Sequence, residues 1–162
     1  MNRTRQTGTT TVEFAIVAAA IFMMIFGVFE VARAYFVYSV LEEVTRRGSR
    51  LAAVCPVGDT AVSQLSVFNA SGGTGESQLV RGLNPANVVI DYLDANGAVI
   101  ALPAEPANFL QISFVRARVV GYQHTIAVPF VAGITSFNMP DFVSVLPRES
   151  LGIPREGAIT PC

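Results

Sequence analysis

Residues 14–29, FAIVAAAIFMMIFGVF, run without a single charge, and apolar character continues through Val31, Ala32 and Ala34 to Val40. A helix in a globular core keeps a polar stripe toward water, whereas this stretch is apolar all round and close to the ~20 residues needed to cross a hydrocarbon layer. The pattern therefore predicts a retained transmembrane helix. A cleaved secretory signal is the rival, because Arg3 and Arg5 precede the run. The run is longer than an ordinary signal core, however, and the helical pattern continues past it. Beyond the membrane run, Ala34, Val37, Leu41, Val44, Gly48, Leu51 and Cys55 recur at alternating spacings of three and four, which draws one narrow apolar seam on a helix. Away from that seam, Glu42 with Arg46 and Glu43 with Arg47 form i,i+4 pairs with the acid first. Pro56 stops the pattern. The expectation is one helix from Thr9 to Ala53, roughly 65 Å long at the α-helical rise, transmembrane over 9–38 and extramembrane over 39–55.

From residue 56 the periodicity changes. A short helix is predicted over 61–68, followed by a glycine-rich loop at 71–75. Strand patterns then dominate. Residues 88–93 and 98–102 flank Asn96-Gly97 and read as a β-hairpin with a type I′ turn. In a longer strand over 109–122, Leu110, Ile112 and Phe114 share one parity and Val115, Ala117 and Val119 the other. Side chains alternate strictly along a strand, so a β-bulge is predicted near 114–116. A last strand falls at 142–146. The fold class is α+β: a long N-terminal helix carrying a small antiparallel β-sheet head, residues 56–162, packed on the outer half of the helix.

Composition adds little to this architecture but narrows the chemistry. The 162 residues suffice for one folded unit, and the mean hydropathy of +0.48 reflects the N-terminal concentration of apolar residues. All 11 basic residues are arginines and the net charge is −1, so no basic field exists to hold nucleic acid. The chain has no lysine, which removes a phosphate-binding loop from consideration at 71–75. The sole histidine, His124, stands in an apolar strand without a metal-ligand spacing and reads as structural. Asp91, Asp94 and Asn96 resemble part of a calcium loop, but Tyr92 occupies a ligand position and no glutamate closes the loop, so turn chemistry accounts for them. Ser113 and Ser144 lack a nucleophile elbow, and Asp91, Asp94 and Glu105 do not form an acid/base pair by spacing. No catalytic residue, no metal site and no cofactor is expected, and the chain is not read as an enzyme. Asn69-Ala70-Ser71 fits a glycosylation sequon of a kind frequent by chance. Cys55 and Cys162 are the only cysteines. In a head outside the cytoplasm they predict a disulfide tying the tail to the helix, with two separate thiols as the alternative.

The N-terminus carries the most informative spacing. Gly8 is followed by Thr9, Thr10, Thr11, Val12, Glu13 and Phe14, which puts a carboxylate five residues after the glycine and just before the uncharged run. Dragging a carboxylate to the bilayer centre costs about 2.5 to 3.5 kcal/mol, so Glu13 requires a shallow depth or a cation. Cleavage after Gly8 would supply one: the freed α-amino group of Thr9, a helical turn away or on a neighbouring subunit. The plainer reading makes Gly8 a flexible joint, Thr9 to Thr11 a helix cap and Glu13 a partner of the helix dipole. The position between a short basic leader and a spanning helix favours processing.

Gly8 to Ala53, with Glu13-Phe14, Phe29-Glu30, Ala32-Arg33-Ala34 and Gly48-Ser49-Arg50, resembles type IV prepilins and more specifically the TadE-like minor pilins of tight-adherence pili. The resemblance implies a pilin-like fold and removal of a leader, residues 1–8, by an aspartic prepilin peptidase that cuts between Gly8 and Thr9. It makes Glu13 and Phe14 the recognition and assembly residues. The implied partners are that prepilin peptidase, other pilin subunits, the pilus assembly machinery and membrane lipid. The implied location is a bacterial inner membrane, single-pass, with the N-terminus cytoplasmic, the head periplasmic, and passage to the cell exterior in an adhesion pilus. Thr9 differs from the phenylalanine common at the first mature position of the broader type IV class. Arginine counting favours the opposite orientation, since Arg33, Arg46, Arg47 and Arg50 outnumber Arg3 and Arg5. The eight-residue leader and the two cysteines argue for the orientation stated. The alternative function is an uncleaved, membrane-anchored periplasmic adaptor or ligand-binding protein.

Overall fold

The computed structural model describes residues 7–70, 72–73, 75–127, 136–153, 159 and 161–162. Its spine is one uninterrupted helix, α1 (Thr7–Val54), whose 48 residues extend for about 70 Å. The two halves of α1 have different surroundings. The uncharged run of the first half, 14–29, stands outside the head, with Phe14, Met24 and Val28 more than 70% exposed. On the second half Val37, Leu41, Val44, Gly48 and Cys55 are buried, following the seam set by the sequence. Val40, Thr45, Ser49 and Ala52 widen that seam into a broad face. The extra width is needed because two elements, a sheet and a second helix, pack against it. Arg46 pairs with Glu42 at 2.6 Å as its spacing predicts, but Arg47 lies 5.0 Å over the ring of Phe68 rather than pairing with Glu43.

The head begins with α2 (Thr60–Ser66), whose first turn is capped by Asp59 accepting from the Ala61 amide at 2.9 Å. A short 3₁₀ turn (Pro85–Asn87) leads into β1 (Val88–Leu93). There follow α3 (Pro106–Phe109), β2 (Phe114–Val119), β3 (Gln123–Thr125), β4 (Ser136–Asn138) and β5 (Phe142–Pro147). The main sheet is antiparallel in the order β1-β2-β5, and β3 and β4 form a separate two-stranded ribbon. Val115, Ala117 and Val119 of β2 are buried on the face toward α1, in register with Val88, Ile90 and Tyr92 of β1. Gly48 allows the closest approach: a Cβ there would stand 3.2 Å from Ala117 Cβ and 3.1 Å from Ser66 Oγ. Beside it, the hydroxyls of Ser49 and Ser144 lie 2.9 Å apart and tie β5 to the helix.

Two sequence expectations are corrected. Residues 98–102 do not form a second hairpin strand: the partner of β1 is β2, and what remains of the hairpin is a bridge between Leu93 and Val99 with bonds from Ile100 N to Tyr92 O and from Asp94 N to Ala98 O, each 2.9 Å. The turn is not type I′ either. Asp94 accepts the Asn96 and Ala98 amides at 2.8 Å each, and only Gly97 takes a positive φ, of 83°. The aspartate side chain organises the turn and Gly97 supplies the bulge residue. The bulge near 114–116 is also absent, since pairing runs unbroken from Val88↔Val119 to Leu93↔Phe114. The change of parity marks the start of the strand. Phe109 belongs to a helical turn opened by Pro106, Leu110 is 77% exposed, and Ile112 is buried from a non-strand position.

On the outer face of the sheet, Asp91 Oδ2 accepts from Arg116 Nε at 2.9 Å and from Arg118 Nε at 2.8 Å. Burial pushes the Asp91 carboxyl up, but the hydrogen bonds from Arg118 and Arg116 outweigh it and hold the group below its usual range. A carboxyl lowered in the folded state stabilises fully above its ordinary pKa and loses that contribution as pH falls through its folded value. Wild-type protein is therefore expected to lose head stability on acidification below about pH 4. Asp91→Asn is expected to show a lower neutral-pH unfolding midpoint and a flatter acid limb, as measured by urea titration across pH. An unchanged acid limb would remove Asp91 as its source.

The C-terminal tail finishes the helix. A helix leaves its last carbonyls without internal partners. Here Glu149 N and Leu151 N donate to Ala53 O at 3.1 Å each, and Gly152 N donates to Val54 O at 2.6 Å. Gly152 has a φ of 80°, and a Cβ on it would fall 2.6 Å from Pro56 Cγ, so this position requires glycine. The predicted disulfide is present: Cys55 and Cys162 are bonded with their Cα atoms 5.8 Å apart. Of the sequence readings, leader residues 1–6 and Ser71 of the sequon lie outside the described residues.

Candidate functional site

Gly8, Thr9, Glu13 and Phe14 all lie in the first turns of α1 and are exposed. Because this segment is helical, Thr9 and Glu13, four residues apart, share one face, the arrangement that a pairing between the Glu13 carboxylate and an amine at Thr9 requires. A Cβ on Gly8 would meet nothing within 4 Å. The 9–14 segment is thus an open stretch of helix, and Phe14, 75% exposed, projects beside the glutamate. Cys55 and Cys162 lie at the other end of α1, about 60 Å from Glu13 by helical rise. The structure therefore divides the sequence-derived residues into two separate groups.

Between them lies a cluster that the sequence did not assemble. Among the described residues, the first polar contact from the head to the helix falls at Glu30. His124 on β3, only 2% exposed, has its Nε2 at 3.0 Å from Glu30 Oε1. Arg33 donates to the same oxygen at 2.9 Å and to the carbonyl of Thr125, and its guanidinium lies 3.5 Å from His124 Nε2. The Ala127 amide donates to Glu30 Oε2 at 3.2 Å, and the ring of Phe137 on β4 closes over His124 at 5.1 Å between centroids. A little further along the helix, Tyr122 packs in the core near Val37 and Leu41 and donates its hydroxyl to Arg81 O at 3.1 Å. Burial raises the pKa of that phenol.

The histidine is buried, as its apolar strand implies, yet its partner stands 94 residues away in sequence. The signal for that partner was present: Glu30 is the first charge after the uncharged run, and Arg33 follows three residues later. This cluster joins two parts of the chain. Among the described residues, no group of three or more His, Cys, Asp or Glu side chains is placed to hold a metal ion.

A long apolar N-terminal helix, compatible with a single-pass membrane anchor, bears an α+β head from Glu30 onward, and this defines the class of protein. Within that class the N-terminal segment is specific: residues 8–50 match the family model described as TadE-like protein. The match contains Gly8, Thr9, Glu13, Phe14, Glu30 and Arg33, and it ends before Cys55 and the head. No curated protein matches the chain, and no solved structure does.

Proposed function

We propose that this protein is a minor pilin or pseudopilin, processed between Gly8 and Thr9 by a prepilin peptidase and taking part in assembly of an adhesion pilus from a bacterial inner membrane. The observation that carries the reading is the open helical segment in which Thr9 and Glu13 share a face at the head of an uncharged run, within the TadE-like match. In the processed protein the Thr9 amine neutralises Glu13, either within the subunit or from the next one, so that the carboxylate enters the hydrocarbon edge as one half of an ion pair. The exposed first half of the helix is the part available to lipid before assembly and to neighbouring helices after it. The peptidase and the other pilus subunits are its partners, and the head occupies the periplasm.

The mature N-terminus tests this reading directly. Intact-mass analysis of protein from the native host is expected to give a chain beginning at Thr9. Retention of residues 1–8 in the presence of active peptidase would favour an uncleaved periplasmic adaptor. Glu13→Ala is expected to leave membrane insertion intact, read by carbonate extraction, while the subunit disappears from the sheared pilus fraction. Wild-type incorporation by that variant would sink the proposed role of Glu13.

A further inference from the structure

We infer that the β3–β4 ribbon is a second membrane-contacting element, which rests on lipid at the level where α1 leaves the bilayer. The inference depends on α1 being a membrane anchor. Its first support is position. Tyr122 belongs to the core cluster whose α1 members run from Val37 to Val44, whereas His124 lies at Glu30 and Arg33, and Ala127 at Glu30. Successive residues entering the ribbon thus step down the helix toward its apolar half, a descent of about 10 Å from Val37 to Glu30. The bonds from His124, Ala127 and Arg33 fasten the ribbon there, one residue past the end of the uncharged run at Phe29.

Charge distribution gives the second support. Across 119–140 the chain contains no Asp, Glu, Lys or Arg, and the residues that join β3 to β4 in sequence, 128–135, read VPFVAGIT. A segment facing water has no reason to exclude charge over such a length. One that meets a bilayer does, because each charge carried into hydrocarbon is costly. The far end of the head differs: Asp94, Glu105, Arg148 and Glu149 are distributed around it. Aromatic side chains give the third support. Phe137 on the ribbon is 41% exposed, and Tyr35, five residues past Glu30 on α1, is 76% exposed. Exposed aromatics close to the end of a spanning run mark the interfacial belt of membrane proteins. In that setting Glu30, Arg33 and His124 satisfy one another at the membrane surface, so neither charge enters the interface unpaired.

The chain contains no tryptophan, so single reporters can be placed without background. Full-length protein is reconstituted into phosphatidylcholine–phosphatidylglycerol vesicles with and without bromine on the acyl chains, carrying Phe137→Trp, Ala127→Trp, Met24→Trp or Leu110→Trp in turn. Met24 lies in the uncharged run and tests the anchor itself, and Leu110 lies on the far side of the head. The expected result is that bromolipid removes most of the emission of the Met24→Trp reporter and a large part of that at positions 137 and 127. Shallow bromines are expected to act more strongly than deep ones at those two ribbon positions, and the Leu110→Trp reporter to lose none. Quenching at Met24→Trp with none at either ribbon position overturns the ribbon inference and leaves the anchor standing. Blue-shifted but unquenched ribbon reporters also overturn it, since protein rather than lipid would then cover the ribbon. No quenching at Met24→Trp overturns the anchor and the inference together.

Discussion

Cys162→Ser is expected to lower the stability of the head by about 4 to 5 kcal/mol, the largest single-site effect the structure supports. The bond closes 107 residues of sequence, which is essentially the whole head, onto the end of α1. Opening it returns to the unfolded chain the loop entropy that the cross-link removes. It also releases the tail whose amides, at Glu149, Leu151 and Gly152, occupy the last carbonyls of the helix. Cys162 is the better position to change because Cys55 is fully buried, and its replacement would add a packing defect. Thermal unfolding of the full chain in detergent, followed by circular dichroism, is expected to show a midpoint lowered by roughly 15 °C or more for a head of this size. Wild-type protein under reductant is expected to match the variant. Coincident midpoints for oxidised wild type and Cys162→Ser would show that the bond adds no stability.

Leu41→Ala is the second large effect, at about 2 to 5 kcal/mol. Leu41 is fully buried in a cluster with Val37, Val44, Val67, Leu83, Val119 and Phe142, which draws together α1, the end of α2, the following loop and two strands. Truncation leaves a cavity at the point where these elements meet and where none can close it by moving alone. Ile25→Ala removes a similar group from the same helix, but Ile25 is 43% exposed on the apolar half and belongs to neither buried core cluster of the described residues. Its head is expected to unfold within about 0.5 kcal/mol of wild type. Urea titration of both variants in one detergent makes the comparison. Equal losses at the two positions would contradict a head that packs on α1 from Glu30 onward.

What could be read in advance follows from how local each feature is. The long helix was legible because its signals, an uncharged run and a three-and-four seam from Ala34 to Cys55, lie within the helix itself. The family-matching N-terminal segment was legible for the same reason: Gly8, Glu13 and Phe14 sit within one short stretch ahead of the apolar run, inside residues 8–50 that match the TadE-like model. The final strand was found because its alternation is unbroken over Phe142–Pro147. The hairpin failed where two local signals competed. Asn96-Gly97 pointed to one turn type, but the side chain of Asp94 took the amides that define the turn, and β1 found its strand partner in β2, twenty residues further on in sequence. The false bulge arose because Ile112 is buried without being in a strand, so its burial mimicked the opposite parity.

The sequence by itself determined that this chain has one long apolar helix with a Gly8-to-Glu13 segment at its head, an α+β domain behind it and two cysteines suited to bonding. Each of these is set by residue types a few positions apart or by simple count. Only the tertiary structure decided which strands pair and that the tail caps α1. It also decided that His124 meets Glu30 and Arg33 beside the apolar half of the helix. The tail caps and the His124 contact join residues about a hundred positions apart, and all of these arrangements depend on the direction in which the sheet packs across the helix face. That direction is settled by the combined fit of Gly48 against Ala117 and Ser66, Ser49 against Ser144, and Leu41 within its cluster, rather than by the pattern of any one segment.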